Sequence, residues 1–184
     1  MRQFQIAVFD LDGTLIDSDE ALVEPFLHLG LSREEITFGH PIEEFCRDRG
    51  IDVMAYVEHY DTERVQPFAG ATELVEGLGR WAICSNKFNE SGYAELDRLG
   101  WNPEVALFSR DFGGAEKRLA PVLERLDVEA SQVVYVGDSS TDRAVAEEAG
   151  CAFVWAGWNP RTAAANPDGT VLSDPRQVLD LLEH

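Results

Sequence analysis

Lysine is almost absent: of 15 basic residues among 184 only Lys87 and Lys117 are lysines, and 34 acidic residues oppose them. The formal charge of −19 repels nucleic acid and anionic membrane surfaces at long range, so neither is expected as a partner. No stretch approaches the ~18–20 uninterrupted apolar residues that a membrane helix needs. Residues 1–10 carry a single arginine and no small-residue cleavage site, so a secretory leader is not expected. Cysteine is scarce as well. Cys46, Cys84 and Cys151 are odd in number, widely spaced and set among apolar residues. That pattern argues against a disulfide framework or a zinc site, and for buried thiols in a reducing cytoplasm. What is present is a globular composition, 45% hydrophobic and 10% aromatic, in a length suited to roughly one domain of ~100–200 residues.

The apolar run "FQIAVFD" (4–10) reads as a central strand ending in polar residues. From 17 to 66 no strand is expected. Three short amphipathic helices are predicted there, at 19–30, 42–50 and 53–60, with polar or glycine ends. "VQPFAG" (65–70) is a Pro/Gly breaker that returns the chain to its main fold. Helices are then predicted at 71–79, 89–100, 115–126, 140–150 and 175–183, and strands at 81–85, 105–108, 132–138 and 151–157. Pro121 suits a helical first turn or else kinks the 115–126 segment. Strands alternating with helices predict an α/β fold, a Rossmann-like parallel sheet covered on both faces. The expected organisation is a core of 1–16 and 67–184, with 17–66 inserted after the first strand as a small helical unit.

Ligands of such sheets bind beyond the carboxyl ends of the strands. At those ends stand Asp10 and Asp12, then Ser85 and Asn86, then Asp138 with Asp142 four residues on, and Lys117 precedes the strand that delivers Asp138. Two unit charges 4 Å apart interact by ~4 kcal/mol at an effective dielectric near 20, so clustered carboxylates call for a cation. Aspartate oxygens suit Mg²⁺, which favours few carboxylates, retained waters and a phosphate. The cluster therefore reads as a metal-assisted phosphoryl site in which Ser85 and Lys117 receive phosphate oxygens.

"DLDGT" (10–14), "CSN" (84–86), Lys117 and "GDSSTD" (137–142), in this order at strand ends, resemble the four motifs of the haloacid dehalogenase-like hydrolase superfamily. "VQPFAGATELVEGL" and "VWAGWNP" resemble its phosphoglycolate phosphatase-like branch. The resemblance implies a phosphatase acting on a small phosphorylated metabolite. Asp10 would be the nucleophile that becomes an aspartyl-phosphate, and Asp12 the acid that protonates the leaving alcohol and then activates water. A carboxylate and a backbone carbonyl from Asp10 and Asp12, with Asp138, would hold Mg²⁺. Ser85 and Asn86 would bind phosphate, Gly13 and Thr14 would turn backbone donors towards it, and Lys117 would neutralise charge on Asp10 and the transferring group. Asp142 would orient Lys117 or a metal-bound water. The segment 17–66 would be the cap that closes over the site and selects small substrates.

Related sequences usually carry Lys-Pro where this one has "EKRLAP", so Arg110 and Arg118 are alternatives to Lys117. Lys87 reaches substrate or faces solvent. Asp17 and Asp19 are explained as acids at the start of a helix. His28, His40, His59, Trp155 and Trp158 are assigned to packing. Among rival activities, a phosphonoacetaldehyde hydrolase needs a cap lysine, and none stands between 13 and 66. A β-phosphoglucomutase-like mutase keeps all four motifs but needs a larger protective cap. A non-catalytic binding protein of the same fold would not need the complete set of acids.

Overall fold

A computed structural model describes residues 4–183. Its strands are β1 (Ile6–Phe9), β2 (Ile16–Asp17), β3 (Gln66–Pro67), β4 (Trp81–Cys84), β5 (Val105–Leu107), β6 (Val133–Gly137), β7 (Ala152–Ala156) and β8 (Val171–Leu172). Six of them form a parallel sheet in the order β5-β4-β1-β6-β7-β8. Side chains alternate across it. Ala7, Phe9, Ile83, Val134 and Val136 enter the core on one face, and Ile6, Val8, Ala82, Val133 and Tyr135 the core on the other. Burial on both faces is why these strands read as continuous apolar runs. Because β1 lies between β4 and β6, the residues that follow all three emerge side by side.

The helices are α1 (Asp19–His28), α2 (Ile42–Asp48), α3 (Val53–His59), α4 (Ala71–Gly77), α5 (Asn89–Leu99), α6 (Ala120–Leu126), α7 (Ser140–Ala149) and α8 (Pro160–Ala165). The first three fall between β2 and β3, which pair antiparallel with Ile16 opposite Pro67. They gather around Phe26, whose ring centroid lies 4.7 Å from that of Phe45 and 4.5 Å from that of Tyr56.

Several local expectations are corrected. Asp17 belongs to β2, so α1 starts at Asp19. The helix expected from 115 begins at Ala120 with Pro121 in its first turn, which leaves Lys117 on the preceding loop. The last helix is a 3₁₀ segment, Pro175–Leu181. Within the supposed loop after β7, Asn159 caps α8 by accepting the Arg161 amide, and Pro160 opens the helix.

Candidate active site

The turn after β1 is built around Gly13, whose φ of +73° is the left-handed conformation that glycine adopts without strain. A Cβ there would stand 2.6 Å from the Asp138 carboxylate. The turn closes on itself: the Gly13 amide donates to the Ile16 carbonyl and the Thr14 amide to that of Leu11. These two amides therefore shape the loop and do not point at a ligand. The Thr14 hydroxyl donates to Asp138 Oδ1 at 3.0 Å, joining the first motif to the last.

Lys117 is buried between two carboxylates, 2.5 Å from Asp142 Oδ1 and 3.1 Å from Asp10 Oδ2. Its loop is held by Asn86, whose side-chain oxygen accepts the Lys117 amide at 2.7 Å. Burial opposes the ammonium charge, but Asp10 and Asp142 raise its pKa above the ordinary lysine value. Arg110 instead pairs with Glu90, and Arg118 is exposed, so the cation at this place is Lys117.

Asp142 has no oxygen left for a ligand. Lys117 and the Tyr135 hydroxyl reach Oδ1, while Oδ2 accepts the amides of Asp138 and Ser139 and the Ser139 hydroxyl. Gly137 makes this possible, since a Cβ at that position would lie 2.4 Å from Asp142 Cβ. Burial disfavours the charge, but Lys117 and Ser139 hold the Asp142 carboxyl below its usual value.

Asp10 and Asp138 stand the other way. Burial raises Asp10 to about 6 against the pull of Lys117. Burial, with the charges of Asp142 and Asp10, raises Asp138 to about 8. Oxygens of Asp10, Asp138 and Asp142 lie within 4.8 Å of one another. With Asp142 committed to Lys117, the donors suited to a hard divalent cation are the carboxylates of Asp10 and Asp138. Burial is the first cause of both shifts and outweighs Lys117 at Asp10 and Arg161 at Asp138, and a bound Mg²⁺ would favour the charged form of both.

Asp12 does not share the cluster through its side chain. Its carboxylate accepts from Lys87 Nζ at 2.8 Å. The same ammonium donates to the Tyr60 hydroxyl at 2.8 Å and lies 3.1 Å from Glu95 Oε2, and Tyr60 donates to Glu95 Oε1 at 2.7 Å. Lys87 is 5% exposed, so it neither faces solvent nor is free for phosphate. It sets the direction of Asp12. Glu95 and Tyr60 carried no motif signal, and a buried glutamate on α5 is legible only once its partner is seen.

Ser85 follows β4 and borders the same cavity as Asp10. Asn86 donates across to the Gly39 carbonyl of the inserted segment at 3.1 Å. Asp19 is more than a helix-start acid: Arg161 binds it through Nε at 3.0 Å and binds Asp138 through Nη2 at 2.7 Å. Arg161 was missed because it lies outside the four motifs, on α8. His40 lines the cavity, but its ring stacks on Phe45 at 4.7 Å. Trp158 donates its indole N–H to the Thr14 carbonyl at 2.7 Å and so braces the Asp10 loop.

The cavity between sheet and inserted helices measures ≈ 70 Å³. Asp10, Asp12, Ser85, Lys117 and Asp138 form its floor. The arrangement sets one buried carboxylate, Asp10, beside Lys117 and a second carboxylate, Asp12, on Lys87.

A family model described as haloacid dehalogenase-like hydrolase matches residues 7–156. The chain is 26% identical to a phosphoglycolate phosphatase of Xanthomonas campestris, over 91% of this chain and 89% of that protein. It is 27% identical to a phosphoglycolate phosphatase of Aquifex aeolicus, over 98% of this chain and 97% of that one. Among solved structures, a haloacid dehalogenase-like family hydrolase from Streptococcus pneumoniae superposes with a TM-score of 0.73 at 21% identity. That match covers 96% of this chain and 97% of the other.

Proposed function

The chain belongs to the haloacid dehalogenase-like hydrolases, and we propose that it is a Mg²⁺-dependent phosphatase of small phosphate monoesters working through an aspartyl-phosphate. The observation that carries this reading is Asp10, buried at the end of β1 with Lys117 3.1 Å from its outer oxygen and Asp12 two residues on. The curated relatives named above as phosphoglycolate phosphatases support the same reaction class.

The Leu11 amide donates to Asp10 Oδ1 at 2.8 Å, which fixes the carboxylate with its other oxygen on Lys117. In the first step an Asp10 oxygen forms a bond to phosphorus while the ester P–O bond breaks. The departing oxygen takes its proton from Asp12. In the second step Asp12 takes a proton from water, the water oxygen attacks phosphorus, and the bond to Asp10 breaks. Lys117 and Ser85 lie where the phosphoryl oxygens carry charge, and preorganised donors of this kind are commonly worth ~10²–10³ in rate. Asp10 and Asp138, with the backbone carbonyl of Asp12, would hold Mg²⁺, which supplies Lewis-acid neutralisation of phosphoryl charge when bound.

The segment 17–66 serves as a cap. Its Gly39 and Tyr60 hydrogen-bond to Asn86 and Lys87 of the core, so closure reaches the residues that hold Lys117 and Asp12. No described helix is long and apolar enough to cross a membrane. The three buried free cysteines support a cytoplasmic setting.

Hydrolysis of p-nitrophenyl phosphate with Mg²⁺ tests the proposal. Turnover is expected in the parent chain, and Asp10→Asn is expected to lower it by ~10³ or more while circular dichroism stays unchanged. Full activity in Asp10→Asn would remove the nucleophile assignment. A folded parent without turnover would favour a binding protein.

A further inference from the structure

We infer that the alcohol released by this enzyme is short, uncharged and largely apolar, which rests on the phosphatase reading above and adds the leaving-group class to it. The lining above the acids is mainly apolar, with Leu22, Ile36, Phe38 and Ile42 of the inserted segment and Phe88 of the core, and the uncharged Thr37, Tyr56, Tyr60 and Ser91 lie among them.

Among the described residues, each lysine and arginine that lines the cavity is paired with two carboxylates. Lys117 lies between Asp10 and Asp142, Lys87 between Asp12 and Glu95, and Arg161 between Asp19 and Asp138. Arg161 holds Asp19 through two nitrogens, so its pairing does not depend on Asp138 alone. His40 is the remaining basic group of the lining. Burial keeps its ring below the ordinary histidine value, which favours the uncharged form; its Nε2 meets the Thr37 hydroxyl at 2.8 Å, and its Nδ1 has no hydrogen-bond partner among the described residues.

A carboxylate on the leaving group would therefore lose its water against a mainly apolar lining and meet cations already neutralised by paired carboxylates, whereas an alkyl group there gains from burial. The chain's charge of −19 adds long-range repulsion that grows with each further negative charge on the ester. Size limits the group too. At ≈ 70 Å³ the cavity has room for a leaving group of a few carbons. Phosphoglycolate, the substrate in the relatives' names, carries the charge that this wall does not answer.

Isobutyl phosphate makes a direct test, because it replaces the carboxylate of phosphoglycolate with a branched alkyl group of the same heavy-atom count and keeps a primary alkoxide leaving group. Phosphate release from both esters would be measured with Mg²⁺, beside p-nitrophenyl phosphate as a reporter of the phosphatase chemistry itself. The expected result is a kcat/KM for isobutyl phosphate at least about tenfold above that for phosphoglycolate. Leu22→Lys, which sets an additional cation on the wall, is expected to shift that ratio towards phosphoglycolate. A ratio at or below one overturns the inference and leaves the phosphatase reading standing. So does turnover of p-nitrophenyl phosphate with neither alkyl ester accepted. Absence of turnover with all three overturns the phosphatase reading, and the inference falls with it.

Discussion

Replacing Lys87 with methionine would leave Glu95 fully buried with no cation and release Asp12 from the donor that aims it. Breaking a buried pair by removing one partner costs about 3–5 kcal/mol, so urea unfolding of Lys87→Met should show a loss of that order. Its kcat should fall by ~10–10², since proton transfer needs Asp12 in place. Adding Glu95→Gln should restore stability but not kcat, which separates folding from positioning. Unchanged kcat in the single variant would remove Lys87 from the mechanism. In the sequence Lys87 stood beside "CSN", close to the site but with no stated direction. Its contacts come from Tyr60 and Glu95, 27 residues before it and 8 after it, and no local pattern encodes that meeting. Asp19 behaves alike. The first turn of α1 explains an acid there, yet only the approach of α8 gives it Arg161.

At the scale of elements, the strand ends were legible because β1, β4 and β6 are continuous apolar runs that stop at polar residues. The β6–α7 junction shows what the spacing requires. Gly137 lets Asp142 fold back under the strand end, and Ser139 caps the helix by accepting the Asp142 amide. Gly137→Ala would drive a methyl group into Asp142, and overpacking of this kind costs roughly 1–3 kcal/mol. Thermal unfolding should show that loss, together with a drop in kcat as Lys117 loses its support. A variant as stable and as active as the parent would show that the junction relaxes freely. The two-residue strands β2 and β3 escaped notice for a simple reason: they are too short to show a period of two, and their pairing spans the whole inserted segment. The start of α6 was half legible, through Pro121.

For the whole molecule, the pH dependence of stability follows from three buried carboxyls. In the folded chain Asp10, Glu95 and Asp138 have pKa values of about 6, about 7 and about 8, each raised first by burial from ordinary values of 3.8, 4.5 and 3.8. The folded state binds these protons more tightly than the unfolded state. The stabilisation is therefore complete below about pH 4 and is lost as pH rises through 6 to 8. Asp142, lowered by Lys117 and Ser139, acts in the opposite sense but below that window. The Tm of the metal-free protein should fall by ~3 °C or more between pH 5 and pH 8. Mg²⁺ should raise it more at pH 8, where fewer protons must be displaced. Scanning calorimetry with chelator and with Mg²⁺ would check this, and a metal-free Tm that rises over the range would refute it. Residue order alone determined the α/β class, the parallel strands and the three motifs at strand ends, because periodicity and turn chemistry are local. The tertiary structure decided which carboxylate each cation holds, which of them remain for a metal, and how apolar the wall above them is. Those depend on side chains brought together from β1, α1, α5, α7 and α8, and charge pairing is settled by distance in space.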